Sequence, residues 1–302
     1  MENWVEIDLK RLKSNYEYIK SKTHCPICAV IKADGYGVGS YEIAKELEEL
    51  GVEKFAVAFL KEAIDLRSFG IKSEILILNY VSPEKFKEIK DRDFIFTLYS
   101  LEQLRSYLDE MNIENFRFHV KINSGMNRLG INSEETGEFI EILKNNRINI
   151  EGLYSHFAHV EDEGFTAKQF NTFIEITKIF EEKFEREFIK HISNSGASLR
   201  YEEYNLDFVR VGMGLYGLQA FIESDENIKG IITWKSKVSA IRRVKKGEKI
   251  SYGKDILEEA KKIAIIPVGY SHGYMRQLSS DAFVLLKGIK VKILGKILWI
   301  KW

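Results

Sequence analysis

"AVIKADGYGVGS", residues 29–40, carries an apolar run into a lysine and then into a turn with glycines at 35, 37 and 39. Ala29, Val30 and Ile31 read as the end of a buried strand, with Lys32 at its lip. A lysine placed there can form a Schiff base, provided burial or neighbouring cations keep part of its amine neutral. Taken alone, it reads more simply as a strand-end side chain reaching for solvent. The pattern Gly35-x-Gly37-x-Gly39 is neither a P-loop nor a dinucleotide fingerprint. It does leave a bare turn around Tyr36 that a flat or phosphorylated ligand can approach closely.

Working outward, this strand is one of eight. "ICAVIK" (27–32), "KFAVAFL" (54–60), "EILILNYV" (74–81), "DFIFTLYS" (93–100), "FRFHVKI" (116–122), "IEGLYSHF" (150–157), "FIKHIS" (188–193) and "DFVRVG" (207–212) are short apolar runs, as expected of strands buried on both faces. Amphipathic segments separate most of them. The clearest spans 166–186, with Phe170, Phe173, Thr177, Phe180 and Phe184 at helical spacing. Eight alternations favour a closed parallel (β/α)8 barrel over a doubly wound sheet, with catalytic groups at the C-terminal strand ends. The barrel is expected over residues 1–229. From 230 to 302 the pattern changes to strands separated by short polar turns, a second, β-rich domain. It stops at "LWIKW", inside what reads as another strand, so this domain is expected to be incomplete.

The 302 residues include 45 basic and 45 acidic side chains, which gives no electrostatic reason to expect nucleic acid or an acidic membrane surface. The charged start "MENWVEIDLKRLK" lacks a signal-peptide core, and no apolar run reaches the roughly 18 residues of a membrane span. A soluble, cytoplasmic protein is expected. The only cysteines form "CPIC" (25–28); a strand follows them rather than a helix, and a zinc site lacks a second ligand pair, so they read as strand-entry residues.

Other strand ends also carry polar groups. "VKINSGMNRLG" places Lys121 and Arg128 around a turn, "YSHFAH" offers His156 and His159, and "VRVGMGLYG" offers Arg210 before two glycines. "HISNSGA" offers His191, Asn194 and Ser195 ahead of a helix, where N–H groups and a hydroxyl can hold a phosphate. His156 and His159 do not converge as a helical metal-binding pair would, and no metal is expected. A Schiff-base lysine with a phosphate cradle points to pyridoxal phosphate.

With these motifs in order, the chain resembles the alanine racemases, from "WVEIDLKRLKSNY" (4–16) almost to its end. The resemblance implies that Lys32 holds pyridoxal phosphate and that Tyr36, Ser195, Gly212 and Met213 serve its phosphate. It further implies Asn194 at the cofactor, Arg210 at the pyridine nitrogen, and His156 behind the catalytic tyrosine. Arg128 and Tyr270 ("IPVGYSHGYMR") would meet substrate, with Lys121, open to carbamylation, in support. Tyr252 ("KISYG") would be the second base, so that Lys32 and Tyr252 serve opposite faces of the α-carbon. An arginine at the pyridine nitrogen weakens the electron sink and suppresses transamination relative to reprotonation. The implied activity interconverts L- and D-alanine for cell-wall peptidoglycan, in a head-to-tail homodimer whose sites are shared. The alternatives are a non-catalytic pyridoxal-phosphate barrel, a decarboxylase of basic amino acids, or a racemase of serine or a longer amino acid.

Val38, Asn123, Val211 and His272 stand where the family commonly has histidine, aspartate, proline and aspartate. After "VKILGKI" the family continues with a Met-Asp segment and further strands. A two-base frame change at Ile297 would restore such a segment, so the gene is expected to be frameshifted and its product a truncated racemase.

Overall fold

The computed structural model describes residues 2–89, 93–219, 225–252, 256–279 and 282–300. After a first strand, β1 (Asn3–Ile7), come eight parallel ones: β2 (Ile27–Val30), β3 (Lys54–Val57), β4 (Glu74–Ile77), β5 (Phe94–Leu98), β6 (Arg117–Lys121), β7 (Ile150–Tyr154), β8 (Ile189–His191) and β9 (Val209–Val211). They pair in the order β8-β7-β6-β5-β4-β3-β2-β9. Two backbone bonds then close the ring: Asp207 N–H donates to Lys190 O (3.1 Å) and Arg210 N–H to Ser193 O (3.0 Å). This is the barrel expected from the eight apolar runs. The strands end earlier than those runs, which also contain the first residues of the loops beyond.

Helices cover the outside where capping residues permit them. The helix Glu163–Phe184 starts three residues before the periodic stretch because Asp162 accepts a hydrogen bond from Phe165 N–H (2.9 Å). It buries Phe173, Ile176 and Phe180. Within the barrel, Cys28, Val30, Ala56, Leu76, Ile95 and Phe208 form a continuous apolar cluster. Residues two apart on a strand share a face, so Lys54 and Glu74, which form an ion pair, continue this inner face towards the strand starts.

One boundary differs from the sequence division at 1–229. β1 pairs antiparallel with β10 (Ile232–Ser236), from Asn3↔Ser236 to Ile7↔Ile232. The chain therefore divides into Asp8–Ile231 and a second unit made of Met1–Ile7 with Ile232–Trp302. The second unit also holds the antiparallel pairs β11 (Ala240–Val244) with β12 (Lys261–Ile265) and β13 (Phe283–Leu286) with β14 (Ile289–Lys292). Of "KISYG", the described residues 249–252 form no strand; Lys249 makes only an isolated bridge to Ile256. Residues 298–300 form no strand either. Leu298 and Trp299 instead accept hydrogen bonds from Tyr270 and Ser271 N–H (both 3.0 Å). Among the described residues no helix is long and apolar enough to cross a membrane.

Candidate active site

Past the end of β2 the backbone of Ala33, Asp34, Gly35 and Tyr36 turns left-handed, with φ of 53°, 52°, 62° and 58°. Three of these residues are not glycine, and each costs about 1–2 kcal/mol in that conformation. Carboxylates offset the cost. Glu62 accepts hydrogen bonds from Ala33 (2.6 Å), Ala58 (2.7 Å) and Phe59 (2.9 Å) N–H, and Asp34 from Ser40 N–H (2.8 Å). Glu62 thereby ties the residue after Lys32 to the end of β3. Glu62→Ala is expected to cost about 2 kcal/mol of stability and to reduce turnover more than substrate KM. Urea denaturation and steady-state kinetics check this; an unchanged midpoint and kcat would refute it.

The turn brings Tyr36 against Tyr216 (ring centroids 4.8 Å apart) and Gly212, where a Cβ would overlap the Tyr36 hydroxyl. Burial raises the Tyr36 phenol above its usual pKa, so it remains a hydrogen-bond donor. Ser195 Oγ accepts hydrogen bonds from Gly212 (3.1 Å) and Gly214 (3.3 Å) N–H, which leaves its own proton to donate. Tyr36, Ser195, Gly212 and Met213 are thus gathered at one place. Asn194 has a different task from the expected one. Its side-chain oxygen caps the helix Ser195–Arg200 by accepting from Gly196 (3.1 Å) and Ala197 (3.0 Å) N–H. Those helix-start groups, read as phosphate donors, are therefore engaged within the chain.

Arg210, on β9, is buried. Its Nη1 donates to His191 Nδ1 (2.6 Å); its Nη2 donates to Ser155 O (2.6 Å), His156 Nδ1 (3.1 Å) and Ile192 O (3.3 Å). His156 is half-buried and its pKa is held well below the usual range by burial first, then by the charges of Arg210, Lys121, Arg128 and Lys32. It is a neutral imidazole. Lys121 is buried with its ammonium 5.6 Å from the Tyr154 ring centroid. Burial, then Arg210, Arg128 and Lys32, lower its pKa to about 7. Lys32, Lys121, Arg128 and Arg210 therefore form a cationic cluster, and none makes an ion pair among the described residues. Such a set is built for anionic ligands.

Lys121 also sets a pH dependence. An unfolded lysine has a pKa near 10.4, so between about pH 7 and that value the unfolded chain binds more protons than the folded one. Stability contributed by this group therefore rises with pH across that window, and below it the penalty of burying the charge is constant. Lys121→Met is expected to stabilise the cofactor-free chain near pH 7 by on the order of 3 kcal/mol and to flatten the rise. Urea titrations across the window check it; parallel curves for both proteins would refute it.

Arg128 is exposed on a turn that Asn123 knots. The Asn123 side-chain amide donates to the Asn127 and Asn132 side-chain oxygens (both 2.9 Å), and its own oxygen accepts from Asn127 N–H (3.0 Å). Aspartate could not make those two donations, which accounts for asparagine here. His159 is exposed beside Glu161 (3.6 Å). Cys28 is buried and its thiol pKa is pushed up to about 12, so it is an inert packing group. Tyr252 and Tyr270 belong to the second unit, where they line a groove with Arg276 and residues 297–300. Tyr252 is 72% exposed. Sequence reasoning missed Glu62 and His119, the latter on β6 beneath Lys121; its signal was the two-residue spacing that puts both on one strand face.

Residues 7–220 match the family described as alanine racemase, N-terminal domain, and residues 231–298 the alanine racemase C-terminal domain. The chain is 35% identical over 305 residues to "Alanine racemase 1" of Oceanobacillus iheyensis, covering 97% of this chain and 81% of that one. The structure of alanine racemase from Clostridium difficile 630 superposes with a TM-score of 0.87 at 34% identity, over 100% of this chain and 82% of that one. The Bacillus anthracis alanine racemase with bound L-Ala-P does so with a TM-score of 0.87 at 29% identity, over 99% and 81%. These matches correct one expectation. The C-terminal domain is matched through residue 298 and about four fifths of the relatives' length is spanned, so the comparisons do not support a truncated, frameshifted product. Eight strands closed around a cationic lysine site, with both family domains in order, make this chain an isomerase belonging to the alanine racemase family.

Proposed function

We propose that the chain interconverts L- and D-alanine with pyridoxal phosphate, using Lys32 and Tyr252 as its two bases. The observation that carries this is the cationic cluster of Lys32, Lys121, Arg128 and Arg210, without ion pairs among the described residues, with the Tyr36 and Ser195 hydroxyls both at Gly212, two residues beyond Arg210. The residues fit the group: an amine for its aldehyde, the Tyr36 and Ser195 hydroxyls for its phosphate, and an arginine held in place through Nη1 and Nη2 for its ring nitrogen. Lys32 would hold the aldehyde carbon, Tyr36 and Ser195 the phosphate with the Gly212–Met213 backbone, and Arg210 the ring nitrogen. Asn194 supports this place as the cap behind Ser195. When bound, the cofactor supplies the electron sink that acidifies the substrate α-proton.

The chain's own groups then move the proton. Lys32, its amine free once substrate is bound, would take or give a proton on one face. Tyr252 serves the opposite face, from a second copy of the chain in a head-to-tail dimer. Arg128 and Tyr270 bind the substrate carboxylate side, and neutral His156 supports the tyrosine. Arg210, which can only donate, would leave the ring nitrogen without a proton, and this would favour returning the α-proton over losing the amino group. We further propose that the D-alanine formed supplies peptidoglycan in the cytoplasm.

The test uses the purified chain with added pyridoxal phosphate and L-alanine. Loss of circular dichroism together with deuterium entering at the α-carbon supports the reading. Cofactor absorbance without exchange would replace it with a non-catalytic pyridoxal-phosphate barrel. Release of carbon dioxide from lysine or ornithine would replace it with a decarboxylase.

A further inference from the structure

A chain of hydrogen bonds runs inward from Arg210 through two histidines. Arg210 Nη1 meets His191 Nδ1 (2.6 Å), and His191 Nε2 meets His119 Nδ1 (2.8 Å). Arginine only donates, so His191 Nδ1 must accept, and its proton must sit on Nε2. His191 therefore donates to His119 Nδ1, which places the His119 proton on its own Nε2. That nitrogen has no hydrogen-bond partner. His119 also lines a cavity of about 10 Å³ with Lys54 and Glu74.

The fold is shaped around both rings. His191 is stacked between Tyr154 (4.8 Å, 4° between planes) and Phe208 (4.2 Å, 23°), so it cannot turn to exchange its nitrogens. His119 lies opposite Gly152, where a Cβ would stand 2.7 Å from the imidazole, and the β6–β7 register shifts at that point.

We propose that His119 is a positioning residue: by accepting from His191 it fixes the His191 tautomer and so the direction of the Arg210 guanidinium. If His119 stops accepting, His191 gains a buried N–H without a partner. Moving that proton to Nδ1 would set it against the Arg210 donor, and the guanidinium would have to turn. Burial keeps both imidazoles neutral, lowering His119 to about 3 and His191 well below its usual value. The effect on catalysis rests on the reading of Arg210 as the partner of the cofactor's ring nitrogen.

The experiment compares the full chain with H119N and H119L, labelled with 15N at histidine and arginine, first without and then with pyridoxal phosphate. Asparagine presents an oxygen near the position of Nδ1; leucine presents nothing. In the parent chain both imidazoles are expected to carry the proton on Nε2 and leave Nδ1 bare. H119N should keep the His191 and Arg210 N–H signals, and H119L should shift both. In the loaded protein H119L should move the cofactor absorbance maximum and lower kcat about tenfold with little change in KM, and H119N should restore most of it. A proton on Nδ1 of either histidine in the parent chain, or equal His191 and Arg210 signals in both variants, would overturn the proposal. Should those signals shift in H119L while absorbance and kcat stay unchanged, the relay stands and the ring-nitrogen role of Arg210 falls.

Discussion

Lys32→Ala is expected to lower racemisation about ten-thousand-fold, because in the proposed mechanism one side chain is both the anchor of the cofactor and the proton carrier of one face. The fold should survive. The Lys32 side chain makes no hydrogen bond or ion pair among the described residues, and removing it relieves repulsion with Lys121. The melting temperature should therefore stay the same or rise slightly, in contrast to Glu62→Ala. The readouts are the circular dichroism of L-alanine and the visible band of the lysine-bound cofactor. Persistence of that band, reducible by borohydride onto the chain, would move the anchor to another lysine.

The second large effect concerns Tyr252. Tyr252→Phe is expected to slow proton exchange on one face about thousandfold while the other face is far less affected, since only one of the two proposed bases is lost. Equal, small effects in both directions would remove Tyr252 from the mechanism. Its exposure in the single chain fits work at a neighbour's site. Mixing Lys32→Ala with Tyr252→Phe protein therefore offers a sharper test. Random re-pairing makes half the dimers mixed, each with one intact site, so about a quarter of the parent activity should return. No recovery after confirmed subunit exchange would place both bases within one chain.

The barrel was legible because burial on both faces leaves short apolar runs, and eight of them at regular intervals leave few arrangements. The proposed site stands out in the sequence where the proposed chemistry asks for a residue type, as at Lys32, Ser195 and Arg210. Conformation was less so. Glycines at 35, 37 and 39 announced a turn, but the left-handed path through Ala33, Asp34 and Tyr36 depends on Glu62, far away in sequence. Asn194 reads as a ligand and is a helix cap, a distinction set by where its oxygen points. His119 looked like one residue of an apolar strand, and only its neighbours across the barrel give it a purpose. The division at 1–229 missed the affiliation of β1, whose partner lies at the other end of the chain.

That affiliation bears on how the chain is made. β1 leaves the ribosome before the barrel strands, yet its partner Ile232–Ser236 follows only after the whole barrel. At synthesis rates of about 5–20 residues per second, Trp4 and Val5 wait roughly 10–50 s for a strand to pair with. Through that interval the nascent chain carries an unpaired β-edge beside a barrel that is already folding, and such an edge recruits other chains. The acidic residues Glu2 and Glu6, on either side of it, supply charge that opposes such recruitment until the late strand arrives.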